Sequence, residues 1–205
     1  MLFEDLKKNI EKIEHSFLPP KSETGEYSEQ EYLNVDAYVS LVHSEIEFFL
    51  ESRCKEVCGL SLKKFDENGL VNLVLLGLVC FSGKMFDAPP DKKNDSNLVE
   101  EKLYLNKKLH SAAGVYNYNV KNNNGIKEKD ILGLLLPLGF PVDDIDDVFL
   151  TEMNDFGKMR GEIAHTSNVE NMTNRLDPYS VKSRIERILG FIKNIDDTLK
   201  TKLCA

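Results

Sequence analysis

Gly69 to Phe81 reads GLVNLVLLGLVCF, and the fold class turns on what this segment becomes. It is apolar on all sides, so periodicity alone fits a buried helix or a buried strand. The rest of the chain decides between them. Nowhere else is a strand-like alternation of apolar and polar residues sustained, whereas helical spacing recurs throughout. A buried helix over Gly69–Phe81 in an all-α protein is therefore expected. The run is also too short to span a bilayer as a helix, which needs about 20 apolar residues, so no membrane partner is expected.

Working outward, Phe3, Leu6, Ile10, Ile13 and Phe17 recur at three and four and predict a helix over residues 2–16, stopped by Pro19-Pro20. Ser28-x-x-Glu31 is a capping box that opens a long helix over about residues 29–57, with Gly59 as its C-cap. Downstream of the apolar run, Gly83 to Asn97 carries Pro89-Pro90 and reads as a loop. Leu98 to Tyr118 is helical, and Asn122-Asn123-Asn124-Gly125 breaks it. A short helix follows over 127–136. Asp143 or Asp144 is then placed to cap a helix running through Phe149, Met153, Phe156 and Ile163. Asp177-Pro178 opens the last helix, with Val181, Ile185, Ile188 and Ile192 on one stripe. There is no internal repeat. The expected organisation is an N-terminal helix and linker over 1–25 and a single helical domain over 26–205.

Composition bounds the function. The chain has 205 residues and a net charge of −8, which disfavours a general nucleic-acid binder. The charge is uneven. From Phe156 onward nine Lys and Arg stand against six acids, a local +3 that leaves −11 for the remainder. The N-terminus lacks an apolar signal core, so a cytoplasmic protein is expected. Of the four cysteines, Cys54 and Cys58 lie one helical turn apart, but no His or Cys cluster completes a four-ligand set, so no metal and no cofactor are expected. The sequence has no P-loop, no dinucleotide fingerprint and no Gly-x-Ser-x-Gly elbow.

The basic portion holds Arg160-Gly161-Glu162-Ile163-Ala164-His165. Arginine is a permanent planar cation suited to a phosphate, and histidine gives or takes a proton near neutral pH. Together they are a minimal kit for phosphodiester chemistry, set against the plainer reading of a helix-end histidine beside a solvated arginine. In a regular helix the two positions lie roughly 140° apart, and a glycine interior to a helix costs about 1 kcal/mol, so either a local loosening of the helix or a His165 side chain that reaches round its end is expected. His43 and Glu47, one turn apart on the long helix, are the other polar pair of interest, read either as a cleft-lining pair or as a surface pair. Phe48-Phe49 reads as core, and Tyr104, Tyr116 and Tyr118 as packing residues with base stacking as the alternative.

Three stretches carry a family resemblance: MRGEIAHTS over Met159–Ser167, AYVSLVHSEIEFFLE over Ala37–Glu51, and NNNGIKEKDILGLLLPLGF over Asn122–Phe140. Together they resemble the HEPN superfamily, in its RiboL-PSP and MAE-like nuclease branch, over most of the chain from about residue 30. The position after the arginine, usually Asn or another polar residue, is Gly161 here, and Ser167 stands where HEPN toxins paired with nucleotidyltransferases carry a tyrosine. The resemblance implies an all-α, HEPN-like helical bundle with extra peripheral helices, forming a twofold homodimer. It implies a metal-independent endoribonuclease of prokaryotic defence or a toxin–antitoxin system, with RNA as substrate and a cognate antitoxin or defence protein as partner. Arg160 and His165 would be catalytic, supported by His43, Glu47, Gly161 and Glu162. The alternative is a catalytically inactive HEPN-like module for dimerisation or for binding RNA or protein.

Overall fold

The computed structural model describes the backbone of residues 2–83, 97–165 and 175–200, and the side chains of 2–83, 105–164 and 175–200. Among the described residues there are seven α-helices and no strands. They are α1 (Phe3–Phe17), α2 (Glu29–Asn68), α3 (Leu73–Phe81), α4 (Asn97–Lys121), α5 (Glu128–Leu135), α6 (Asp147–His165) and α7 (Pro178–Thr198). Two single 3₁₀ turns, Leu136–Leu138 and Val142–Asp144, join α5 to α6. No described helix is long and apolar enough to cross a membrane.

The organising element is α2. Its 40 residues give an axis of about 60 Å, and each of the other six helices touches it. It is correspondingly buried on more than one face, from Val35 and Tyr38 through Ile46 and Phe49 to Val57 and Cys58. The predicted capping box opens it: Ser28 Oγ accepts from the Glu31 N–H at 3.3 Å, and the Glu31 carboxylate accepts from the Ser28 N–H at 2.7 Å. Its end differs from expectation. Gly59 is passed as an ordinary helical residue, and Gly69 is the cap, at φ 68° with its N–H donating to the Phe65 carbonyl at 2.7 Å. The apolar positions Leu62 and Phe65 pack on the core and carry the helix beyond the first glycine.

The expected helix over Gly69–Phe81 is shorter, and it is not buried on all sides. Asn72 caps it, accepting from the Leu75 N–H at 3.1 Å while its amide donates to Ser61 Oγ on α2 at 3.0 Å. Val74, Leu75 and Leu78 enter the core, whereas Leu73, Leu76, Val79 and Phe81 remain exposed. Gly77 allows backbone contact with the 3₁₀ turn: a Cβ there would stand 2.7 Å from the Pro137 carbonyl oxygen. The loop expected over Gly83–Asn97 falls, but for its ends, outside the described residues.

Two other expectations shift. Asp146, not Asp143 or Asp144, caps α6, its Oδ1 accepting from the Val148 N–H at 2.7 Å. Asp143 and Asp144 are instead consumed by a 3₁₀ turn. Phe48 is 59 % exposed while its neighbour Phe49 is 1 % exposed, because consecutive helical positions face different ways. The last helix begins as predicted, with Asp177 Oδ2 accepting from the Ser180 N–H at 2.7 Å and Val181, Ile185, Ile188 and Ile192 buried. At the far end of α2, Arg53 donates from Nε to the buried Asp196 of α7 at 2.5 Å, and Lys200 joins the same carboxylate.

Candidate functional site

The motif helix α6 reaches the site because Phe149, Met153 and Phe156 bury one stripe of it against the core. Arg160 follows Phe156 by one turn, which puts it on the same side, but at the solvent end. It is exposed, and among the described residues it has no hydrogen bond or ion pair. Facing it on α2 is His43. The His43 ring lies 5.9 Å from that of Phe156, tilted 38° to it.

His43 is 4 % exposed, and its Nδ1 has no hydrogen-bond partner among the described residues. The nearest carboxylate oxygen, Glu47 Oε2, is 3.8 Å away, beyond hydrogen-bond length. Burial, reinforced by the positive charge of Arg160, pushes the imidazole down to about 4, against the weaker opposite pull of Asp130. His43 is therefore neutral at pH 7. Glu47 is shifted the other way. Burial first, then the neighbouring charge of Glu51, hold its carboxyl above the usual range, although Arg160 and a backbone hydrogen bond from Gly125 oppose this.

The surrounding groups come from three other places. Glu51 Oε1 accepts from Asn123 Nδ2 at 3.2 Å, and the same amide donates to the Gly125 carbonyl at 2.8 Å. Asp130 opens α5, accepting from the Lys127 N–H at 3.1 Å. Its carboxylate presses on Gly125, where a Cβ would stand 2.6 Å from Asp130 Oδ2. The structure thus gathers His43, Glu47 and Glu51 from α2, Asn123 and Gly125 from the α4–α5 connector, Asp130 from α5 and Arg160 from α6.

Of the remaining predicted residues, Gly161 and Glu162 are described in full and His165 by its backbone alone. Glu162 is exposed and pairs with Lys158 at 3.8 Å one turn back. Gly161 is helical, and a Cβ added there would meet nothing within 4 Å. The helix does not loosen at the glycine; it continues to His165, its last residue. The side chain of His165 lies outside the described residues. Regular backbone keeps positions 160 and 165 roughly 140° apart around the axis, so one chain does not set them on a common face.

With this geometry in place, the family model described as RiboL-PSP-HEPN matches residues 3–201. The chain belongs to the RiboL-PSP-HEPN family. No curated protein and no solved structure matches it. Membership suggests a nuclease or an RNA-binding module, built on an all-α HEPN fold.

Other features of this HEPN chain divide into packing and surface. Tyr116 is buried and donates to the Leu134 carbonyl at 2.7 Å, a packing role, whereas Tyr118 is exposed and the Tyr104 side chain lies outside the described residues. Burial pushes the Cys54 thiol up to about 12 and that of Cys58 to about 11, which keeps both protonated. Among the described residues no group of three or more His, Cys, Asp or Glu is arranged to hold a metal ion.

Much of the basic excess beyond Phe156 is internally paired. Lys182 meets Glu14 at 2.5 Å, Arg184 meets Asp155 at 3.0 Å, and Arg187 meets Glu152 at 2.8 Å. Arg160 differs from these in making no such pair among the described residues.

Glu51, Asn123 and Asp130 are site neighbours that the sequence reading missed. A signal for Glu51 existed, since His43, Glu47 and Glu51 repeat at four on one helix face. Asn123 was legible only as part of the break after α4, and Asp130, which accepts from the Lys127 N–H in the first turn of α5, carried no signal of its own.

Proposed function

We propose that this chain is a metal-independent endoribonuclease of a prokaryotic defence or toxin–antitoxin system. The observation that carries the reading is Arg160: an exposed guanidinium at the end of the motif helix, without an ion-pair partner among the described residues, over a buried neutral His43 and a perturbed Glu47. An unpaired arginine is free to take two non-bridging phosphoryl oxygens as a bidentate donor.

In this mechanism the ribose 2′-oxygen attacks the adjacent phosphorus and the bond from phosphorus to the 5′-oxygen breaks. One imidazole accepts the 2′-OH proton and a second donates a proton to the leaving oxygen. The products are a 2′,3′-cyclic phosphate and a 5′-hydroxyl. A single chain offers one His165, and its backbone register separates that position from Arg160. A twofold homodimer completes the set, with His165 of the partner subunit as the second proton carrier. Glu47 and His43 line the cleft within the field of Arg160, and restraint of the nuclease in its own cell falls to a cognate antitoxin or defence-system protein.

A second reading has one observation in its favour. The cations Lys182, Arg184 and Arg187 are all paired with carboxylates, which leaves little free positive surface for a polyanion. This is what an inactive dimerisation or binding module would show.

Cleavage of single-stranded RNA by purified protein in EDTA separates the two. The nuclease reading expects cleavage in chelator, none of DNA, and a loss of about 10²–10⁴-fold in His165→Ala and about 10²–10³-fold in Arg160→Ala. Cleavage that requires added Mg²⁺ or Mn²⁺, or that survives His165→Ala, would overturn it. The composite site further expects a dimer by light scattering, and a monomer at micromolar concentration would remove its basis.

A further inference from the structure

A cavity of about 460 Å³ opens on the other side of the motif helix, between Met159 of α6 and the first turns of α7. Its size lies within the range of small-ligand sites, about 300–1,000 Å³. Leu176, Tyr179, Ser183, Arg184 and Arg187 line it together with Met159. Met159 is covalently next to Arg160, but their side chains leave the helix about 100° apart, so the cavity lies round α6 from the motif arginine, within one helix diameter of roughly 10–12 Å.

The lining says what kind of group fits. Its two cations are already neutralised. Arg187 donates from Nε to Glu152 Oε1 at 3.0 Å, and Arg184 lies 3.3 Å from Glu152 Oε2 and 3.0 Å from Asp155. The Arg187 guanidinium is oriented by its hydrogen bond to Glu152, and Arg184 is charge-compensated by Glu152 and Asp155 although its buried Nη1 makes no hydrogen bond among the described residues. Both guanidiniums suit stacking on a flat heteroaromatic ring better than capture of a further phosphate. The Met159 thioether and the Tyr179 ring add soft and aromatic surface, and Ser183 adds a hydroxyl.

The rim continues the same chemistry. Lys21 Nζ lies 5.7 Å from the centroid of the Tyr179 ring. Arg175, next to the lining residue Leu176, lies 4.5 Å over the Tyr32 ring, which in turn meets Tyr27 edge-on at 5.7 Å. Cations alternating with aromatic rings are the equipment of surfaces that track single-stranded nucleic acid.

We infer that the cavity is a nucleobase subsite: it takes the base of one nucleotide of a single-stranded RNA beside the phosphodiester held by Arg160. The inference rests on the nuclease reading above and adds to it a determinant of cleavage position. Arg160, without an ion pair among the described residues, serves the phosphate, and the paired Arg184 and Arg187 serve the base.

The test uses the full chain and fluorescein-labelled 2′-O-methyl RNA decamers of each of the four bases, which resist cleavage because the 2′-OH is blocked. Stacking alone tolerates any base, so the discrimination falls to the Ser183 hydroxyl against a base edge, and fluorescence anisotropy should show one base preferred by about tenfold, the scale of one hydrogen bond. Ser183→Phe, which fills the cavity, and Arg187→Gln, which removes a stacking plane, should each abolish that preference, whereas Arg160→Ala should weaken all four decamers alike. Circular dichroism verifies the helical content of each variant, and Arg187→Gln decides the matter if Ser183→Phe does not fold. Equal affinity of the parent for all four bases, or a preference unchanged in both cavity variants, overturns the subsite while leaving RNA cleavage in place. A parent that neither binds RNA nor cuts it overturns the nuclease reading itself.

Discussion

Replacing His43 by phenylalanine should raise stability and lower activity at once. The imidazole is 4 % exposed with an unpartnered Nδ1, and a buried polar group left without a hydrogen bond costs about 1–3 kcal/mol. A phenyl ring carries no such group and keeps an aromatic neighbour in Phe156 at 5.9 Å, while its greater bulk, somewhat over one methylene more than imidazole, offsets part of the gain. His43→Phe should therefore gain about 1–2 kcal/mol at about pH 7.

The pH dependence is the stricter part. With the folded imidazole pushed down to about 4, the unfolded chain binds a proton that the native state refuses. The contribution of neutral His43 is thus fully present above about pH 6.5 and is lost as pH falls through about 4, a change of at most about 3 kcal/mol. Glu47, raised in the folded state, works in the opposite sense: its contribution is present below its unfolded value and lost as pH rises through the folded one. Asp130, Glu51 and Arg160 face the same pair and are common to parent and variant. The difference between the two proteins therefore isolates the histidine. Urea unfolding followed by circular dichroism, at about pH 7 and about pH 4.5, measures it. A loss of 1 kcal/mol or more in the variant at about pH 7, or parallel pH profiles for the two proteins, would refute the account of an orphaned, neutral His43. Stability gained while RNA cleavage falls is the mark of a residue kept for function.

Tyr38 poses a related case away from the site: its hydroxyl is fully buried without a partner among the described residues, so Tyr38→Phe should be neutral or stabilising by up to about 1 kcal/mol in urea unfolding, and a loss of stability would reveal a partner. Arg53→Ala removes one of the two cations on the buried Asp196, Lys200 being the other, and should cost about 1–3 kcal/mol, with a loss under about 0.5 kcal/mol counting against the buried network. Two glycines should respond in opposite directions. Gly77→Ala meets backbone at 2.7 and 2.8 Å and should lower the melting temperature, whereas Gly161→Ala enters open space and should stabilise by about 0.5–1 kcal/mol. Gly161→Asn, which restores the family's more usual polar residue, should leave the fold intact, and its cleavage rate shows whether the glycine limits activity.

Two helix starts were legible in the sequence, whereas those capped by Asn72 and Asp146 lie a few residues from their expected places. Ser28-x-x-Glu31 and Asp177-Pro178 cap helices where predicted. Helix ends were less so. Gly59 and Gly69 carry the same local signal, and only the packing of Leu62 and Phe65 between them decides which one terminates α2. The same limit applies to α3. An all-apolar run does not say which side finds a partner, and Leu76 stays exposed while Leu75 is buried because neighbouring helices occupy one side only.

For the site, the sequence by itself determined the residue types and the helix that carries them: Arg160 and His165 on an amphipathic segment, and His43 with Glu47 one turn apart on another. Those are local facts, set by periodicity and by the chemistry of each side chain. Tertiary structure decided what is near what. It buried His43 against Phe156, brought Glu51, Asn123 and Asp130 around Glu47, and compensated Lys182, Arg184 and Arg187 with carboxylates from distant segments. It left Arg160 as an exposed cation without such a pair among the described residues. Burial and charge pairing depend on groups remote in sequence, so no local pattern specifies them, and they are what fix the protonation state and the free charge on which the proposed chemistry depends.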